Sequence, residues 1–147
     1  MDALITSVRR WTPVGSLRWD LITILAVAVA VQVVFPDRAD WAAHVTAGGA
    51  LVVVADAALG RCLGPWAVTL GAASVLVLAV VAELTLTGPF DPADVAFTVA
   101  GALLVTGGAS ADAAKTARGD VGRLAMGWGM ALVAGAVYYR YGIRRGP

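Results

Sequence analysis

Asp40, His44, Glu83, Asp91 and Asp94 are the residues of this chain best suited to chemistry, and they fall near the same end of three apolar segments. Asp40 and His44, the latter the only histidine, open one segment; Glu83 lies one turn before the next ends at Thr87-Gly88-Pro89; Asp91 and Asp94 open a third. Ionisable groups in lipid cost about 2.5 to 3.5 kcal/mol each on insertion scales, so they face the protein interior and mark functional sites. The four-residue spacing puts Asp40 and His44 on one helical face, where the carboxylate can fix one imidazole tautomer or stabilise the charged ring. Glu83, among Val80, Val81, Leu84 and Leu86, has no helix end to cap, which favours a functional or inter-helix role. Asp37 and Asp40 lie near enough to the interface to be solvated, and Asp91 and Asp94 have a structural alternative as caps at the positive end of a helix dipole. At matching depth Gln32 offers an amide, and Trp41, Phe90 and Phe97 offer aromatic walls. Together these residues outline a polar, water-accessible pocket.

The elements that must position them are membrane helices. Of 147 residues, 59% are hydrophobic and only 14% charged, and the mean hydropathy is +0.79, well outside the usual composition of a soluble domain. The chain has room for about five spans of roughly 20 residues. Pattern breaks place them at about 18–35, ended by Pro36-Asp37-Arg38; 40–59, ended by Gly60-Arg61; 65–87; 92–108, with Pro92 in the first turn; and 124–141. The expected fold is therefore all-α, one polytopic membrane bundle of five helices. Residues 1–17 carry Leu4, Ile5, Val8 and Trp11 opposite Arg9 and Arg10 and read as an interfacial, uncleaved segment. Trp128 near one end of the last span, with Tyr138, Tyr139 and Tyr141 at the other, forms the expected interfacial aromatic belts.

The basic residues set an orientation. With the N-terminus in the cytoplasm, Arg9, Arg10, Arg18, Arg61, Lys115, Arg118 and Arg123 fall inside and Arg38, Arg140, Arg144 and Arg145 outside, seven against four. The basic C-terminal tail runs against this rule. The pocket then opens on the extracytoplasmic side of a plasma membrane. Asp56, near the inner end of its helix with Arg61 beyond it, is accounted for by a cytoplasmic-side ion pair or by snorkelling. Ten Arg against one Lys, with abundant Ala, Val and Gly, points to a high-GC bacterial source.

Several functional classes fall away. A net charge of +1 without a basic patch gives no footing for nucleic acid. A lone Cys62 forms no internal disulfide, and no Cys/His cluster has zinc spacing, so neither a metal nor another cofactor is expected. No glycine-rich loop offers a phosphate cradle. The glycines read as packing: Gly127, Ala131 and Gly135, and Ala96, Ala100 and Gly108, form small-residue stripes for contacts within the bundle, with a second copy or with a larger complex.

The segment Asp40-Trp41-Ala42-Ala43-His44, followed by Glu83, then Phe90-Asp91-Pro92-Ala93-Asp94 and Gly101, resembles the VanZ-like family of small bacterial multi-pass membrane proteins. The resemblance spans about Pro36 to Gly108. It implies a cell-envelope protein, and it adds Thr98, which stands at the family's usual Asn position, to the candidate binding residues. Leu86 replaces the usual Gln, and Gly88 replaces a loop Arg, which implies that the carboxylates have lost a cationic partner. The leading expectation is a pocket that binds a lipid or amphiphile. An alternative is a small intramembrane enzyme with carboxylate acid/base chemistry on an isoprenoid or lipid, such as proton-initiated terpene cyclisation, which needs a protonated carboxyl in an apolar pocket. A further alternative is a non-catalytic subunit of a membrane complex.

Overall fold

A computed structural model describes residues 19–64, 66–86, 90–108 and 121–141. The described residues form five helices and no strands: α1 (Trp19–Val34), α2 (Ala39–Leu63), α3 (Trp66–Leu86), α4 (Pro92–Gly108) and α5 (Val121–Tyr141). The all-α bundle expected from composition is the one found. Helices α2, α3 and α5 are long and apolar enough to cross a membrane, and α1 and α4 are shorter apolar helices. The interfacial segment 1–17, the helix end at Thr87-Gly88-Pro89, the polar stretch 110–120 and the tail arginines lie outside the described residues.

Two boundaries differ from the sequence reading. Helix α2 runs through Gly60-Arg61 to Leu63 and stops at Gly64, whose φ of +58° is the left-handed conformation that glycine accepts without penalty. A glycine inside a helix lowers its propensity but does not end it when tertiary packing holds it, and Gly60 is buried. Helix α5 begins three residues earlier than expected, at Val121, which brings Arg123 onto the helix.

Helix α2 is the hub and packs against each of the other four. Ile24, Val52 and Val53 are fully buried at the centre, with Leu21, Val68, Val75, Ala102 and Val105 around them. The outer surface is apolar as well: Val77, Leu78 and Leu84 on α3 and Leu132 and Val133 on α5 are all exposed. A soluble monomer rarely shows so continuous an apolar surface, whereas a bundle in lipid needs one.

The tightest packing joins α2 to α4. A Cβ on Gly48 would lie 2.8 Å from the carbonyl carbon of Thr98 and closer still to its oxygen, and one on Gly101 would run into the carbonyl of Val45. The two backbones touch because neither glycine has a side chain, the device by which membrane helices approach closely. The expected stripes are only partly used in this way. Gly127 packs on Val54, but Gly135 faces open space and Ala96 and Ala100 are exposed.

Candidate functional site

The contact between Gly48 and Thr98 positions the site. One turn before Gly48, His44 Nδ1 lies 2.9 Å from Thr98 Oγ1, and His44 Nε2 lies 3.3 Å from Asp94 Oδ2. Thr98 Oγ1 also lies 2.9 Å from the carbonyl oxygen of Asp94. A carbonyl only accepts, so both Thr98 contacts are satisfied together when the hydroxyl donates to Asp94 and His44 Nδ1–H donates to the hydroxyl. That leaves Nε2 buried beside the Asp94 carboxylate, close to it but without a hydrogen bond. The edge of the His44 ring meets Tyr138 of α5, with centroids 4.9 Å apart.

Arg38, the residue that leads into α2, ties the carboxylates together. Its Nε donates to Asp40 Oδ2 at 3.2 Å and its Nη2 to Asp91 Oδ2 at 3.0 Å, with Asp94 Oδ1 3.8 Å from Nη2. Burial works against the guanidinium charge, but the hydrogen bonds and charges of Asp91 and Asp40 outweigh it and raise the Arg38 pKa. Asp91 caps α4 by accepting the Ala93 N–H at 2.9 Å. That hydrogen bond is the largest influence on its carboxyl and, with Arg38 and the charge of His44, holds it below the ordinary carboxylate value despite burial. Glu83, only 3% exposed, accepts the Asp91 N–H at 2.9 Å and so fastens the start of α4 to the end of α3.

The structure therefore brings Asp40, His44, Glu83, Asp91, Asp94 and Thr98 together at one end of the bundle. Trp41 and Phe97 stack at 4.7 Å beside them, and Arg38 lies 4.1 Å over the Trp41 ring, a cation–π distance. Two of the expected wall and binding residues are oriented otherwise than expected. Gln32 donates its amide to the Pro36 carbonyl at 3.0 Å, in the connection just beyond its own helix, and Phe90, next to Asp91 in the chain, is exposed. The third ring of the cluster is Phe35, 4.9 Å from Trp41.

The sequence reading missed three members of this layer: Arg38, Phe35 and Tyr138. The cationic partner of the carboxylates Asp40 and Asp91 is Arg38, in the connection before α2. The signal was the two-residue spacing from Asp40 together with the shared end of the bundle. At the opposite end, Asp56 pairs with Arg123 of α5, and Arg123 Nε also reaches Asp20 Oδ2 at 3.1 Å. Among the described residues no group of His, Cys, Asp and Glu has the geometry to hold a metal ion.

Asp40 and Asp56 are sixteen residues apart on α2, about 24 Å at 1.5 Å per residue, a little less than a bilayer hydrocarbon core. Between them the buried face of α2 is Ala43, Val45, Gly48, Gly49, Ala50, Val52, Val53 and Val54. The fully buried Val52 and Val53 separate the two polar layers, so no polar route joins them along this face. Comparison of the chain with protein families, curated proteins and solved structures gives no match.

Proposed function

We propose that this is an integral protein of the bacterial cell envelope, VanZ-like in type, that holds the headgroup of a lipid or amphiphile in the Arg38 layer. The observation that carries the reading is the juxtaposition of two surfaces. A partly exposed ion network, with Arg38 and Asp91 reaching solvent, adjoins Val33, Val34, Phe35 and Phe90, which are all exposed. That is the profile of an amphiphile: charge beside apolar surface. A site for a soluble polar ligand would have no use for the second part.

A second reading, an acid/base enzyme acting on an isoprenoid or lipid, is favoured by the chain from Thr98 through His44 to Asp94. In it Asp94 and His44 handle the proton, while Glu83, which holds the Asp91 N–H, positions α4. One experiment separates the two. Purified protein is assayed by native mass spectrometry for retained amphiphile, and incubated with isoprenoid and lipid substrates, as wild type, Asp94→Asn and Glu83→Gln. The binding reading expects retained amphiphile, reduced about tenfold or more in Asp94→Asn by loss of a charge-assisted contact, and no product. A product whose rate drops about 10² to 10⁴-fold in either variant makes the protein an enzyme instead. Amphiphile retained equally by all three forms would move the site elsewhere.

The orientation that places this layer outside the cytoplasm rests on the asymmetry of basic residues. Pro36→Cys, in a Cys62→Ser background, is expected to react with an impermeant thiol reagent in intact cells, and Lys115→Cys is not. The reverse pattern would turn the layer toward the cytoplasm.

A further inference from the structure

The amphiphile site is chemically selective, and its selectivity follows from counting charges and unmet hydrogen bonds. Among the described residues the layer contains four carboxyl groups, Asp40, Glu83, Asp91 and Asp94, and Asp40, Asp91 and Asp94 share one guanidinium and one imidazole. Asp40 and Asp94 are each only 7% exposed, and each has a carboxylate oxygen, Oδ1, with no hydrogen-bond donor. A buried carboxylate oxygen without a donor is costly, and a natural occupant of the site supplies one. The Trp41 Nε1–H in the same layer is a buried donor without an acceptor.

Arg38 shows what kind of group fits. Its guanidinium lies over the Trp41 ring, hydrogen-bonds Asp40 and Asp91 and approaches the unmet oxygen of Asp94, yet its side chain is about one-third exposed and it is carried on the connection between α1 and α2. It is a tethered cation resting where a ligand cation would bind.

We propose that the layer recognises an amphiphile bearing a primary ammonium group, and that Arg38 is a resident cation which such a ligand displaces from Asp94 and Asp40. This rests on the headgroup reading above and names its ligand class. The N–H groups decide between cations. A primary ammonium brings three donors for the unmet oxygens of Asp40 and Asp94, whereas a quaternary ammonium brings none and gains only the cation–π contact with Trp41. An anionic headgroup gains Arg38 and the Trp41 Nε1–H but leaves the unmet oxygens of Asp40 and Asp94 without a donor. An ammonium-bearing phosphodiester also offers phosphate oxygens to Trp41 Nε1–H, so one headgroup answers both kinds of unmet group.

The test measures binding of short-chain phosphatidylethanolamine, phosphatidylcholine and phosphatidylglycerol to full-length protein in detergent. The ethanolamine lipid is expected to bind about tenfold or more tightly than either other, the scale of one charge-assisted hydrogen bond. Arg38→Gln, which removes the resident cation, is expected to tighten ethanolamine-lipid binding severalfold and to weaken glycerol-lipid binding. A gain in affinity does not arise from misfolding, so this variant guards against ambiguous losses in Asp94→Asn. Equal binding of ethanolamine and choline lipids would overturn the proposal while leaving the headgroup site intact, as would tighter binding of the glycerol lipid. Unchanged or weakened ethanolamine-lipid binding in Arg38→Gln would overturn the displacement. Failure of all three lipids to bind would overturn both the proposal and the headgroup site.

Discussion

Replacing Gly48 or Gly101 by alanine is expected to destabilise the bundle by at least about 3 kcal/mol, the upper end of what overpacking usually costs. The obstacle at each position is backbone, the Thr98 carbonyl for Gly48 and the Val45 carbonyl for Gly101, so no side chain can rotate away to make room. Helices α2 and α4 must separate. The same substitution at Gly135 or Gly129, where a Cβ would meet nothing, is expected to be neutral or to stabilise by about 0.5 to 1 kcal/mol through helix propensity. Unfolding in mixed micelles checks all four variants, and loss of equal size at Gly135 and Gly48 would contradict the packing described here. The effect reaches the site, because Thr98 presents its carbonyl to Gly48 and its hydroxyl to His44. Pushing α4 off Gly48 therefore draws Thr98 and Asp94 from the imidazole, and amphiphile retention is expected to fall with stability.

The fold was readable from sequence because lipid imposes one rule on every span: backbone polar groups must be satisfied within the helix, so apolar runs become helices and their breaks become ends. Pro36 and Pro92 marked these ends well. Gly60 misled because its helix-breaking tendency is weak against burial. The common level of Asp40, His44, Asp91 and Asp94 was likewise legible, since depth follows from counting residues along antiparallel helices.

What counting did not give was the direction in which each side chain points. Gln32 lies at the right depth, yet its amide serves the Pro36 carbonyl. Gly101 stands one residue beyond Ala100 in the expected stripe, and it is Gly101 that touches α2 while Ala100 is exposed. A rotation of 100° per residue makes that single step decisive. Arg38 escapes a reading of the sequence because only Asp40 lies near it in the chain, while Asp91 is 53 positions away, and that second pairing is visible only after the helices are assembled.

Arg123→Ala is expected to be about as damaging as the glycine changes, at about 3 to 5 kcal/mol, for an electrostatic reason. Asp56 is 1% exposed, and its partner is the Arg123 guanidinium, which Asp20 shares. Without Arg123 a carboxylate is left buried among apolar helices, with no water to screen it. The larger part of the loss is this stranded charge and not the ion pair itself, because desolvation cancels much of what a buried pair gains. The double variant Arg123→Met with Asp56→Leu removes the stranded charge and fills the space with apolar atoms, and it is expected to recover most of the stability. Asp20, which is partly exposed at the bundle end, can be solvated there. Unfolding of the two variants in mixed micelles decides the matter: a double variant as unstable as Arg123→Ala would mean that the ion pair itself holds α5 against α2. Recovery would make the triad a determinant of where α5 docks, since an apolar pair there fits several helix rotations, whereas Arg123 reaches both Asp20 and Asp56 in one.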